Sequence, residues 1–172
     1  MMTRLQELLI GLGAVKFGKF KLASGRESDY YVDMKKACTD VKFLVEASKA
    51  LAPLVKGARR IAGIELGAVP PVVATSIETG IPFLIVRKER KGHGTGNLVE
   101  GVLNKGESVV FIEDVTTSGG SLVKGVRAVR EMGGVVTKAI VLVDREEGAK
   151  EALAQEGVEL VPLVKVSQIM KR

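Results

Sequence analysis

Glu113 and Asp114 stand side by side after the apolar run Val109-Val110-Phe111-Ile112, and Val115-Thr116-Thr117-Ser118-Gly119-Gly120-Ser121 follows them. Adjacent carboxylates accept hydrogen bonds from the vicinal hydroxyls of a sugar and stabilise positive charge developing at a nearby carbon. The next residues, Leu122 to Val129, read as a helix. A helix start presents unpaired N–H groups and a partial positive charge, which suits a phosphate. Hydroxyls on Thr116, Thr117, Ser118 and Ser121 add donors, and Gly119 and Gly120 let a ligand approach the backbone. The combination is a grip for a phosphorylated sugar. It is not the nucleotide P-loop, because no Gly-Lys-Ser/Thr follows the glycines, and the dinucleotide fingerprint has no acids at this point.

A second cluster, Arg87-Lys88-Glu89-Arg90-Lys91-Gly92-His93-Gly94-Thr95-Gly96-Asn97, is rich in cations and holds the chain's single histidine. It offers no apolar face to bury, so a mobile surface loop that closes over an anion is expected. A solvated hairpin with an incidental charge run is the alternative. A third candidate is Arg145, just after the apolar run Ala139-Ile140-Val141-Leu142-Val143. A guanidinium there can hold a ligand carboxylate through a two-pronged bond, or it can form a surface ion pair with Glu146 or Glu147.

These residues need strands and helices to position them. Thr3 with Gln6 suggests a capping box for a short helix to about Gly11. Val15–Leu22 and Asp29–Met34 look like two strands around the loop 23–28. Asp40 can cap a helix with the stripe Phe43, Leu44, Ala47, Leu51 and Leu54. Arg60–Leu66 is then a strand, and Pro71–Thr79 a helix stopped by Gly80. Phe83–Val86, Val109–Ile112 and Ala139–Val143 are unbroken apolar runs, as buried parallel strands require. A helix near Gly148–Gln155 and a strand near Val158–Val164 follow. Alternating strands and helices predict an α/β fold, a doubly wound, mainly parallel sheet with ligands at the carboxyl ends of its strands.

At 172 residues, with 46% hydrophobic and 27% charged side chains, the chain suits one domain (1–172) with its own core. One cysteine, Cys38, cannot make an internal disulfide, and no apolar run approaches the ~20 residues of a membrane span. No signal core stands at the N-terminus, so a cytoplasmic setting and no membrane partner are expected. The net charge of +6 calls for an anionic partner. Scattered basic residues, with only five Phe and two Tyr, favour a phosphorylated small molecule over nucleic acid.

Phe111–Ser121 resembles the phosphoribosyl pyrophosphate (PRPP) signature of type I phosphoribosyltransferases. The resemblance implies that fold, with Glu113 and Asp114 on the ribose hydroxyls and 115–121 around the 5′-phosphate. It also implies Mg²⁺ as cofactor, held mainly by PRPP and pyrophosphate, with at most a water-mediated contact to Asp114. Arg87, Lys88, Lys91, His93 and Gly94 match the lid of orotate phosphoribosyltransferases (about 87–101), which implies contacts to PRPP and a catalytic role for Lys91. In that family the lid reaches the partner subunit's site, so a homodimer is implied.

Residues 20–31 are similar to the family's substrate hood (about 1–36), although Ala23 stands where many members carry a lysine. Lys19 or Lys21 is the candidate to compensate. Residues 63–71 resemble its pyrophosphate loop, with Ala68 and Val69 in place of a tyrosine and lysine. Arg145 and Thr117 match the pair that holds orotate. The expected reaction is therefore transfer of phosphoribose from PRPP to orotate, giving orotidine 5′-monophosphate and pyrophosphate in UMP synthesis. A phosphoribosyltransferase for another base, or a PRPP-sensing regulator on the same fold, is the alternative.

Overall fold

A computed structural model describes residues 2–21, 27–89 and 98–170. The chain begins with α1 (Arg4–Gly11), and Thr3 and Gln6 form the expected reciprocal cap. The hairpin β1 (Val15–Lys21) and β2 (Glu27–Val32) makes a separate two-stranded antiparallel sheet. The second strand stops before Met34, contrary to expectation. Asp33 instead donates its N–H to Ala14 O, and buried Met34 opens the short helix α2 (Met34–Ala37).

Helix α3 (Val41–Leu51) is capped by Asp40, whose carboxylate accepts from the Phe43 N–H at 2.9 Å. Leu54 lies beyond its end, in a turn that still packs on the core. Then come β3 (Arg60–Ile64), α4 (Val69–Thr79), β4 (Phe83–Val86) and β5 (Val99–Glu100). Strand β3 is two residues shorter than expected, and α4 begins two residues earlier, with its prolines in the first turn. Proline fits there because its missing N–H has no intrahelical partner to lose.

The remaining elements are β6 (Ser108–Thr116), α5 (Gly120–Glu131), β7 (Val135–Asp144), α6 (Ala149–Gln155), β8 (Glu159–Lys165) and α7 (Val166–Met170). Strand β6 runs four residues past Ile112, so Glu113 and Asp114 lie inside the strand rather than after it. The cause is the ladder with β7, which continues through Val115↔Val143 to Thr116↔Asp144.

The large sheet has the order β5-β4-β3-β6-β7-β8, parallel except for the antiparallel edge β5. Pro162 falls in β8, where an edge position tolerates the lost donor. Alternate residues of the central strands feed two cores. Ile112, Ile140 and Leu142 pack with α1, α3 and α7 on one face. Phe111, Ala139 and Val141 pack with α5 and α6 on the other. Chain order runs outward in opposite directions from β3 and β6. Their carboxyl ends therefore border the crevice where a doubly wound sheet places its ligand.

Candidate active site

At that crevice, Glu113 to Leu122 line a cavity of about 500 Å³ with Ile64-Glu65-Leu66-Gly67, Lys35, Lys88 and Lys124. Six of the expected groups, Thr116 to Ser121, thus come together with the acidic pair and Val115. The loop is held by its own backbone: Thr116 O accepts from the Arg145 N–H and Thr117 O from the Ala149 N–H, both at 3.1 Å. Gly119 is the N-cap of α5 with φ +81°, and a Cβ there would lie 3.0 Å from Ala149 Cα. No side chain caps this helix start and no acid stands in its first turn, so its N–H groups are open to an anion.

The carboxylates differ in surroundings. Glu113 is only 7% exposed, and its Oε2 has no hydrogen-bond partner among the described residues. Burial, and then the neighbouring Asp114 carboxylate, push its carboxyl well above the usual carboxylate range, while the Lys88 charge acts the other way. An unsatisfied buried acceptor at a cavity wall suits a ligand that brings hydroxyl donors. Asp114 faces the opposite wall, where a Cβ on Gly67 would lie 2.6 Å from its Cγ. Below them, burial and then Asp114 and Glu113 push the Cys38 thiol up to about 12.

The basic segment expected to form a lid begins on described residues and continues beyond them. Lys88 lines the cavity, and its N–H donates to Glu65 Oε1 at 3.0 Å. Arg87 points elsewhere: it lines an adjoining cavity of about 420 Å³ and its Nη1 lies 3.8 Å from Glu100 Oε1. Lys91 and His93 lie outside the described residues.

Arg145 is not on the cavity wall with Thr117. Its Nη2 is 2.9 Å from Glu147 Oε1, the ion pair weighed as its alternative role. Its Nε donates a long 3.4 Å bond to the Tyr30 hydroxyl, and its Cζ lies 5.2 Å from the Tyr30 ring centroid. Strand β2 of the N-terminal hairpin and the end of β7 therefore meet through this arginine.

Two lining residues, Lys35 and Lys124, were not expected from the sequence, and a third, Glu65, falls in the segment 63–71 that resembled the pyrophosphate loop but was given no role of its own there. Lys35 enters from the hood side, and Lys124 from the first turns of α5. Glu65 sits in the turn after β3, where the Glu65–Leu66 peptide bond is cis. Spacing gives no signal for Lys35, because its reach depends on how α2 docks. Lys124 follows from helical periodicity, four residues after Gly120. Among the described residues no group of three or more His, Cys, Asp or Glu is arranged to hold a metal ion.

The chain as a whole is similar to known proteins. Residues 56–163 fit the family model described as phosphoribosyl transferase domain. The orotate phosphoribosyltransferase of Methanothermobacter thermautotrophicus is 52% identical over 161 residues, covering 94% of this chain and 89% of that protein. This chain belongs to the orotate phosphoribosyltransferase family. Two solved relatives agree with the fold. The orotate phosphoribosyltransferase from Aeropyrum pernix superposes with a TM-score of 0.87 at 37% identity, covering 97% of this chain and 96% of that one. The Mycobacterium tuberculosis orotate phosphoribosyltransferase in complex with PRPP gives 0.79 at 30% identity, with 96% of each chain covered. The solved relatives thus share the fold on which the residues above are set.

Proposed function

We propose that this member of the orotate phosphoribosyltransferase family transfers phosphoribose from PRPP to orotate, releasing pyrophosphate and forming orotidine 5′-monophosphate for UMP synthesis. The observation that carries the reading is the adjacent pair Glu113 and Asp114 lining one cavity with the hydroxyl–glycine loop and the uncapped start of α5. Sugar hydroxyls satisfy the carboxylates while N–H groups and hydroxyls of 116–121 take the 5′-phosphate.

With both ends of the ribose phosphate held, the anomeric carbon is fixed against the base, and the chain contributes mainly positioning. The transition state carries oxocarbenium-like positive charge on the sugar, which the two carboxylates stabilise. Lys35, Lys88 and Lys124, all on the cavity wall, neutralise the departing pyrophosphate. Arg145 holds the orotate carboxylate, exchanging its contact with Glu147 for the substrate. The hard carboxylate oxygens of Asp114 on the cavity wall would suit Mg²⁺, which when bound would supply further neutralisation of the pyrophosphate.

Lys91 and His93 come from a partner subunit's lid in this reading, which makes the working unit a homodimer with shared sites. No helix among the described residues is long and apolar enough to cross a membrane, and we place the enzyme in the cytoplasm. Subunit mixing tests the shared site: Lys91→Ala and Asp114→Asn chains are each expected to lose at least ~10²-fold in turnover alone. Mixed and allowed to exchange, they regain part of the activity; no regain sinks the shared-site arrangement.

A further inference from the structure

Glu65 is an odd residue for a turn that approaches a pyrophosphate, because its charge repels the ligand. Its geometry explains the choice. Oε1 accepts the Lys88 N–H at 3.0 Å, and the Glu65 N–H donates to Val86 O at 2.9 Å. The turn after β3 is therefore tied at two points to the exit of β4, where the basic segment begins. One residue back, the Arg87 N–H donates to Leu98 O at 2.7 Å, which fixes the other edge of the same backbone. Lys88 thus leaves the sheet on a backbone bound from both sides.

The Lys88 side chain faces the same cavity as Glu113 and lowers that carboxyl's tendency to stay protonated. A lysine side chain is long and carries about 2 kcal/mol of rotamer entropy, so a fixed root is what limits where its ammonium can go. The Glu65 carboxylate supplies the acceptor at that root.

We propose that Glu65 is a positioning residue that latches the Lys88 backbone, so that the Lys88 ammonium is aimed into the pyrophosphate end of the cavity before the ligand arrives. The inference rests on the PRPP reading of that cavity. Glu65 acts through Lys88 and touches neither substrate. Glutamine keeps the accepting oxygen and drops the charge, whereas alanine removes both, which separates a latch from an electrostatic role.

The test uses the full-length enzyme with Glu65→Ala, Glu65→Gln, Lys88→Ala and the double variant Glu65→Ala/Lys88→Ala. Glu65→Ala raises the KM for PRPP about 10-fold, the scale of one lost hydrogen bond to an aligned group, with a smaller effect on kcat. Glu65→Gln recovers most of that loss, and the double variant is no worse than Lys88→Ala alone. Hydrogen exchange on the ligand-free protein shows the Lys88 amide losing protection in Glu65→Ala and keeping it in Glu65→Gln. An unchanged KM in Glu65→Ala, a glutamine variant as poor as the alanine one, additive losses in the double variant, or unaltered Lys88 exchange overturns the latch. Absence of PRPP binding by the unaltered chain, measured by calorimetry, overturns the cavity reading instead.

Discussion

The Asp114 carboxylate occupies the space that a side chain on Gly67 would fill, since a Cβ there would lie 2.6 Å from Asp114 Cγ. The end of β6 and the turn after β3 approach each other across the mouth of the sheet only because residue 67 has no side chain. The expected outcome for Gly67→Ala is displacement of Asp114 and a loss of about 10²-fold in kcat/KM, as a displacement of about 1 Å at a site can cause. Gly67 lies in a turn at the cavity mouth, outside the core, so thermal unfolding should shift far less than activity. A Gly67→Ala enzyme with unchanged kcat/KM would show that the placement of Asp114 is immaterial.

Lys35 reaches the cavity from the hood, whereas Lys36 beside it does not line it. Lys35→Ala is expected to raise the KM for PRPP about 3–5-fold, the scale of one exposed ion pair, and more so at low salt. Lys36→Ala serves as the control. Equal effects from the two variants would assign the change to net charge alone.

Arg145 has two descriptions that kinetics separates. If it holds the orotate carboxylate, Arg145→Ala raises the KM for orotate by about 10²-fold, as loss of a charged two-pronged bond does, and leaves the KM for PRPP nearly unchanged. Tyr30→Phe keeps the ring under the guanidinium and removes only a bond at the weak limit of 3.4 Å, so its effect stays below about 5-fold. An unchanged orotate KM in Arg145→Ala would leave the Glu147 ion pair as the arginine's whole role.

Glu113 gives a pH signature. Its folded-state carboxyl is raised above the ordinary 4.5, chiefly by burial and then by Asp114. The folded state therefore holds this proton longer than the unfolded chain, and ionisation costs stability as pH rises above about 4.5. The cost is absent below that value and complete above the folded-state pKa. Glu113→Gln removes it, so the ligand-free variant should melt at least ~2 °C higher than wild type at pH 8 and equally at pH 4. Equal melting at both pH values would mean that Glu113 finds a partner in solution.

Lys91 is assigned to charge stabilisation by its match to the lid pattern. Lys91→Ala should lower turnover by at least ~10²-fold, the size of losing one charge stabiliser, with PRPP binding affected less. Unchanged turnover would remove the lid from the mechanism.

The sequence made the fold's centre readable, because Phe83–Val86, Val109–Ile112 and Ala139–Val143 are apolar on both faces and nothing else demands that. The ends of those strands were harder. Val135 to Lys138 alternates exposed and buried residues and extends β7 by four positions only because β6 supplies a partner. The two-residue strand β5 and the short helix α7 carry too little periodicity to stand out. In the site, Glu113 to Ser121 were legible because one contiguous segment carries carboxylates, hydroxyls and glycines in a row. Lys35 was not, since its part depends on how α2 docks, and Glu65 was legible only as a member of the segment 63–71, because its bond to the Lys88 N–H depends on how the turn after β3 meets the end of β4. Arg145 was named correctly as the arginine at the end of β7, yet its contacts to Tyr30 and Glu147 rather than the cavity wall follow from tertiary packing.

The most direct measurement follows orotate absorbance on adding PRPP and Mg²⁺ to the purified protein, with uracil and adenine as competing acceptors in parallel. The account predicts consumption of orotate with one pyrophosphate released per orotidine 5′-monophosphate formed, and little turnover of bases that lack the carboxylate. Turnover of uracil or adenine in preference to orotate, or PRPP binding with no turnover of any base, would contradict it.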